Sequence, residues 1–139
     1  MENVNENKSD KVKLIRHYIK DLSFENPQDI SQYNSDINNN QISTNMNVVY
    51  EPYNNNFFSL IIKISFDCTT KENNKLCHLE LDYFGFFKNL NENFEKKSLS
   101  EYGLKLIFPF AKEIVEVITH KGGSIPISLN DSDFNLIEN

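Results

Sequence analysis

The side chains able to do chemistry in this sequence are three histidines, two cysteines and many carboxylates, and their spacing limits what they can do. His17, His78 and His120 fall on different segments, where surface or helix-capping roles suit them better than catalysis. Cys68 and Cys77 flank a polar stretch, residues 69–75, that reads as a hairpin loop. A disulfide is sterically imaginable there, but two thiols in a chain of this character are more often reduced core residues. No C-x-x-C and no second cysteine pair is present, so a zinc site is not expected. The sequence holds no G-x-S-x-G, P-loop, G-x-G-x-x-G or H-E-x-x-H pattern. No catalytic residues, cofactor or metal are therefore expected, and the protein reads as a non-enzyme. The carboxylates that do show a pattern are Asp21 and Glu25 in one segment and Glu80 and Asp82 in another, each pair in phase with a period of two. Such a row suits either a solvated sheet face or a docking surface for a cationic partner.

The elements that position these groups are mostly strands. Residues 16–25 can be extended, with Tyr18, Leu22 and Phe24 assigned to one face and Ile19, Asp21, Ser23 and Glu25 to the other. Pro27 ends that run. Residues 28–40 read as a long crossing loop containing Ile30, Tyr33 and Ile37, and loops of this length are often functional. A second strand is expected over 42–49, with Ile42, Thr44, Met46 and Val48 on one face. The clearest strand is 57–68, where Phe58, Leu60, Ile62, Ile64 and Phe66 alternate with Ser59, Ile61, Lys63, Ser65 and Asp67. A fourth follows over 76–87, with Leu79, Leu81 and Tyr83 alternating with His78, Glu80 and Asp82. The sheet is thus antiparallel, with one apolar and one charged face. Asparagine runs at 38–40, 54–56 and 73–74 sit where turns are needed.

From about Leu99 the period becomes helical. Leu104, Ile107, Phe108, Ala111, Val115 and Ile118 form one apolar stripe, and Leu106, Phe110, Ile114 and Val117 form a second. One stripe can lie on the sheet. The other has little left in so small a chain to cover it, so a partner subunit is expected there. Pro109 is expected to kink the helix or set a start, and Gly122 and Gly123 to end it. Phe134, Leu136 and Ile137 are read as a final short helix.

Composition narrows the function further. The 139 residues carry 14 Lys and Arg against 20 Asp and Glu, which argues against a nucleic-acid partner. No apolar run is long enough to span a membrane. The first residues are polar and lack the apolar core of a signal peptide, so residues 1–11 are expected to form a disordered leader before a single domain, 12–139, in the cytoplasm. Most of the 11 Phe and 6 Tyr, found without any Trp, belong in the core, and the rest suit either packing under loops or an exposed groove. Tyr33, Tyr53, Phe57 and Phe94 fall in loops or at element ends, where aromatic grooves can bind extended apolar segments.

Two stretches carry a resemblance. Residues Tyr18 to Pro27 (YIKDLSFENP) resemble the first-strand signature Y-x-K-D-x-S-F-E-x-P of the SecB family, and Leu106 to Glu113 (LIFPFAKE) is similar to its helix signature I-L-F-P-Y-A-R-E. Between them, Glu80 to Phe87 (ELDYFGFF) is similar to E-L-x-Y-x-G-x-F, and Gly123 to Phe134 follows G-x-x-P-x-x-L-N-x-x-D-F. The matches are colinear over roughly residues 14–137.

The resemblance implies an α+β fold: a four-stranded antiparallel sheet with a long helix and a short C-terminal helix on one face. It implies a homotetramer built as a dimer of dimers, with Leu106, Phe110, Ile114 and Val117 as interface candidates. It further implies a chaperone that binds unfolded preproteins without ATP and delivers them to the motor SecA, whose zinc-bearing tail docks on an acidic sheet face. Asp21, Glu25 and Glu80 match those acidic positions, and His78 stands where the family often has leucine. Tyr33, Ile37 and Phe134 match the client groove, Ile37 standing where a large aromatic is common. Leu104 replaces a usual proline, and the family's mobile C-terminal tail is nearly absent. The alternatives are a SecB-like chaperone dedicated to another client, such as a toxin–antitoxin pair, and a small enzyme, for which no catalytic set exists.

Overall fold

The computed structural model describes residues 11–28, 41–54, 56–91, 93–124 and 126–130, with the backbone of 134–137. Its elements are β1 (Val12–Glu25), β2 (Gln41–Pro52), β3 (Phe57–Thr69), β4 (Lys75–Asn89), α1 (Lys96–Lys121) and β5 (Phe134–Ile137). The sheet order is β1-β4-β3-β2-β5. The first four strands pair antiparallel, as the alternating sequence predicts.

That alternation builds the core. Phe58, Leu60, Ile62, Ile64 and Phe66 of β3, with Cys77, Leu79, Leu81, Tyr83 and Phe87 of β4, are all buried on one face. Met46 and Val48 of β2 join them, whereas Ile42, assigned to the same face, is exposed near the strand's start. Each fully buried side chain of this size contributes about 1.5–3 kcal/mol. Asn56 and Asn73 both adopt φ of 67° in the β2–β3 and β3–β4 turns. Asparagine tolerates this left-handed geometry better than most residues with a Cβ, which gives two of the asparagine runs a structural reason. Cys68 and Cys77 face each other across β3 and β4 as free, buried thiols. Burial pushes both pKa values up, so they stay protonated and poorly nucleophilic at neutral pH.

β1 departs from the simple period. Its pairing with β4 shifts between Leu14 and Arg16 and again between Ile19 and Asp21. Each shift inserts one extra residue, a β-bulge, which reverses the facing of everything beyond it. Leu22 and Phe24 therefore lie opposite Leu81 and Leu79 on the core side, while Tyr18 lies opposite Phe84 on the outer side. The expectation that Tyr18, Leu22 and Phe24 share a face is corrected: Ile19, opposite Tyr83, takes the inward position instead.

The expected short C-terminal helix is also corrected. Phe134–Ile137 form a strand parallel to β2, from Met46 opposite Phe134 to Val49 opposite Ile137. Four residues are too few to repay helix nucleation, whereas the open edge of β2 offers ready backbone partners. The parallel direction requires a long return, which α1 and the segment after it provide.

α1 starts one turn earlier than expected and lays Ile107, Phe108, Ala111, Val115 and Thr119 against the sheet. Gly103 lets it approach closely, since a Cβ there would stand 2.7 Å from Leu60 Cδ1. Pro109 neither starts nor ends the helix, which runs through it on its exposed side. Pro109 has no N–H, so the helical hydrogen bond to the Lys105 carbonyl is not made. The two glycines do end it: the Gly122 N–H donates to the Ile118 carbonyl at 2.8 Å, and Gly123 turns the chain at φ of 85°. Buried Thr119 donates to the Val115 carbonyl and accepts from the Ile127 N–H at 3.0 Å, pinning the return segment to the helix. Among the described residues no helix is long and apolar enough to cross a membrane.

Candidate functional site

With α1 covering one face, the other face of the sheet is open, and the register places its side chains in rows. Glu25, His78 and Asp67 form one row across β1, β4 and β3. Ser23, Glu80 and Ser65 form the next, then Asp21, Asp82 and Lys63. The sequence candidates Asp21, Glu25, His78 and Glu80 thus come together on one surface, with Asp21, Glu25 and Glu80 exposed. Asp67 and Lys63 belong to the same surface and were not singled out as site residues. Their outward phase in β3 was readable, but only the pairing register brings them beside His78 and Asp82.

The electrostatics of this surface centre on His78. Its Nδ1 lies 2.6 Å from Asp67 Oδ1 and its Nε2 lies 2.8 Å from Glu80 Oε2. A ring with a carboxylate at each nitrogen is best satisfied as the imidazolium, which donates at both. The hydrogen bond to Glu80, then that to Asp67, raises the His78 pKa above its ordinary 6.5. Lys63 Nζ meets Asp82 Oδ2 at 3.0 Å. The surface therefore sets five carboxylates, Asp21, Glu25, Asp67, Glu80 and Asp82, against two cations, and Asp21 and Glu25 make no ion pair with a described residue.

The second candidate set lies on α1. Leu106, Phe110 and Val117 are each 41% exposed despite their apolar side chains, and Ile114 is half-buried. The Phe110 ring sits 4.3 Å from that of His17 on β1, and His17 Nδ1 shares a 2.6 Å hydrogen bond with the Tyr83 hydroxyl. The exposed stripe thus continues towards the β1 edge, where Ile19 is also exposed.

A cleft of about 530 Å³ opens beside α1, with Leu104, Phe108 and Pro109 as its apolar lining and Glu101, Lys105 and Lys112 at its polar margin. Of the groove candidates, Tyr33 and Ile37 lie outside the described residues, and Phe134 opens β5. Among the loop aromatics, Phe94 packs on Tyr102 at 5.2 Å with Lys11 over both rings, whereas Tyr53 and Phe57 reach the open sheet face at Phe86.

A four-stranded antiparallel sheet backed by one long helix, with an acidic open face, agrees with the family that the motifs suggest. The family model described as "Preprotein translocase subunit SecB" matches residues 5–137, and the chain belongs to the SecB family. A protein-export protein SecB of Orientia tsutsugamushi is 30% identical over 127 residues, covering 89% of this chain and 79% of its own length. One of Afipia carboxidovorans is 34% identical over 125 residues, covering 87% and 76%. Among solved structures, a SecB-like chaperone of Mycobacterium tuberculosis, in complex with a peptide from an antitoxin, superposes with a TM-score of 0.67. It is 11% identical, and the match covers 86% of this chain and 89% of that one.

Proposed function

We propose that this protein is a cytoplasmic export chaperone that holds unfolded preproteins without ATP and passes them to SecA. The observation that carries this is the acidic surface itself: Asp21, Glu25 and Glu80 stand side by side on the open face of the sheet, in a chain of the SecB family. Clustered carboxylates with few compensating cations steer a basic module and fix its register. The zinc-bearing tail of SecA is the partner that the family resemblance assigns to these positions.

Client holding needs many weak, sequence-tolerant apolar contacts. The cleft along Leu104, Phe108 and Pro109 offers these, and the family resemblance assigns Tyr33, Ile37 and Phe134 to client binding as well. The exposed stripe of Leu106, Phe110 and Val117 serves as a subunit interface in a homotetramer arranged as a dimer of dimers. Assembly multiplies the weak client contacts. The chemistry required is reversible binding alone, so no catalytic residue is assigned.

A second client class stands behind this one, because the fold carries an antitoxin peptide in the M. tuberculosis chaperone. The relatives at 30% identity and above are named for protein export, which supports preproteins as the leading client class. An aggregation-suppression assay on an unfolded preprotein, run with and without SecA and with and without ATP, tests the proposal. Suppression independent of ATP, followed by release of the client to SecA, is expected. Failure to suppress aggregation at a stoichiometric excess over client contradicts it.

A further inference from the structure

Beyond the acidic rows, the open face of the sheet changes character. Continuing along β4 towards the β2–β3 turn, the outward positions after Asp82 are Phe84, Phe86 and Lys88. Phe84 lies between Tyr18 of β1 and Ile61 of β3, with Val49 of β2 beyond Ile61. Ring contacts form two neighbouring groups on this half, one at Phe84 and one at Phe86. Tyr18 meets Phe84 at 4.9 Å, Phe86 stacks on Phe57 at 5.3 Å, and Tyr53 meets Phe86 edge-on at 5.5 Å. Ser59, which faces outward between Phe86 and Glu51, is buried beneath this layer. Tyr18 and Tyr53 remain 40% and 48% exposed. The core is on the opposite face, so these aromatics are not needed to close it.

Cations border the rings. Arg16 lies over Tyr18 at 5.2 Å, Lys20 over Phe84 at 5.9 Å and Lys88 over Phe57 at 5.9 Å. None of the three is in an ion pair among the described residues. Lys63 and His78, by contrast, are each held by carboxylates on the acidic half. Cations over exposed rings contribute only about 0.5–1 kcal/mol each, so they remain available to a stronger partner.

We propose that this aromatic, cation-bordered half of the sheet face docks an extended polypeptide segment in which aromatic or branched apolar residues alternate with carboxylates. The occupant follows from charge complementarity. A segment lying across four strands spaced about 4.8 Å apart covers roughly 14 Å, or four to five extended residues. Its apolar side chains lie on Phe84, Phe86 and Ile61, and its carboxylates reach Arg16, Lys20 and Lys88. The neighbouring acidic half repels such a segment and so confines it. This surface is separate from both the helix cleft and the acidic rows, and its assignment stands without either.

The test is fluorescence anisotropy with two short labelled peptides, one alternating Phe and Val with Glu and the other with Lys in place of Glu. All proteins carry Asp21→Ala with Glu80→Ala to silence the acidic rows, and this background, otherwise wild type, is expected to prefer the Glu peptide. Phe84→Thr with Phe86→Thr, which keeps strand-favouring residues, is expected to weaken it about tenfold. Arg16→Glu with Lys88→Glu, which disturbs no packing in the core, is expected to reverse the preference. Unchanged Glu-peptide affinity in either double variant overturns the proposal, as does a preference for the Lys peptide once Asp21→Ala and Glu80→Ala have silenced the acidic rows. Sedimentation showing that Phe84→Thr with Phe86→Thr dissociates a wild-type assembly also overturns it, since the patch is then an interface between copies. Aggregation suppression, run in parallel, reports separately on the chaperone function.

Discussion

α1 carries two apolar stripes of similar composition with opposite fates. Ile107, Ala111 and Val115 are fully buried against the sheet, while Leu106, Phe110 and Val117 are 41% exposed. The sheet repeats the division, with Leu60, Ile62 and Leu81 sealed beneath the helix and Asp21, Glu25 and Glu80 turned outward and exposed. The inward faces alone complete a core for this chain. The outward faces add nothing to that core, and their chemistry is what the proposed partners require: apolar for subunits, acidic for a basic tail.

The division can be broken first from the inside. Ile107→Ala leaves a cavity under the helix and is expected to cost about 2–5 kcal/mol, read as a fall in the urea midpoint at unchanged slope. Phe110→Ala is expected to leave the subunit's own fold within about 1 kcal/mol. A fall comparable to that of Ile107→Ala erases the distinction between the stripes.

The outer stripe is broken by Phe110→Asp. In the proposed tetramer a charge there is left unpaired in an apolar interface, so light scattering should show smaller species than the wild type forms, with circular dichroism retained. An intact tetramer removes Phe110 from the interface.

The smallest expected effect belongs to His78. Its pKa is raised in the fold, so its stabilising contribution is complete below about 6.5 and is lost as pH rises through the raised value. The same deprotonation removes a positive charge from the acidic surface. Affinity for a basic partner should therefore increase as pH rises through that window, by no more than a few-fold for one exposed-face charge. His78→Leu should flatten the dependence. NMR titration should place the His78 midpoint above 6.5, and Glu80→Gln should lower it.

Much of this was legible in the sequence, for a physical reason. Strict alternation in Phe58 to Phe66 specifies one buried face, and pairing preserves it residue for residue. The stop at Gly122 and Gly123 and the two stripes of α1 follow from local geometry alone. β1 was misread at Tyr18, because a bulge leaves no mark on hydrophobic periodicity and shows only in the register with β4. Residues 134–137 were misread because a four-residue apolar run fits either helix or strand, and the free edge of β2 decides it. The acidic candidates were found in two separate strands, but the His78 bridge between Asp67 and Glu80 needs the third. The aromatic half of the open face was within reach: extending the outward phase of β4 past Asp82 gives Phe84 and Phe86.

The central claim is that the acidic rows dock SecA, and it is tested most directly by titrating SecA with the wild type and with Asp21→Ala combined with Glu80→Ala at low and moderate salt. Loss of two steering carboxylates should weaken binding by about tenfold at low salt, with the difference shrinking as salt rises, while client holding is kept. Equal SecA affinity for both proteins, with no dependence on salt, contradicts it.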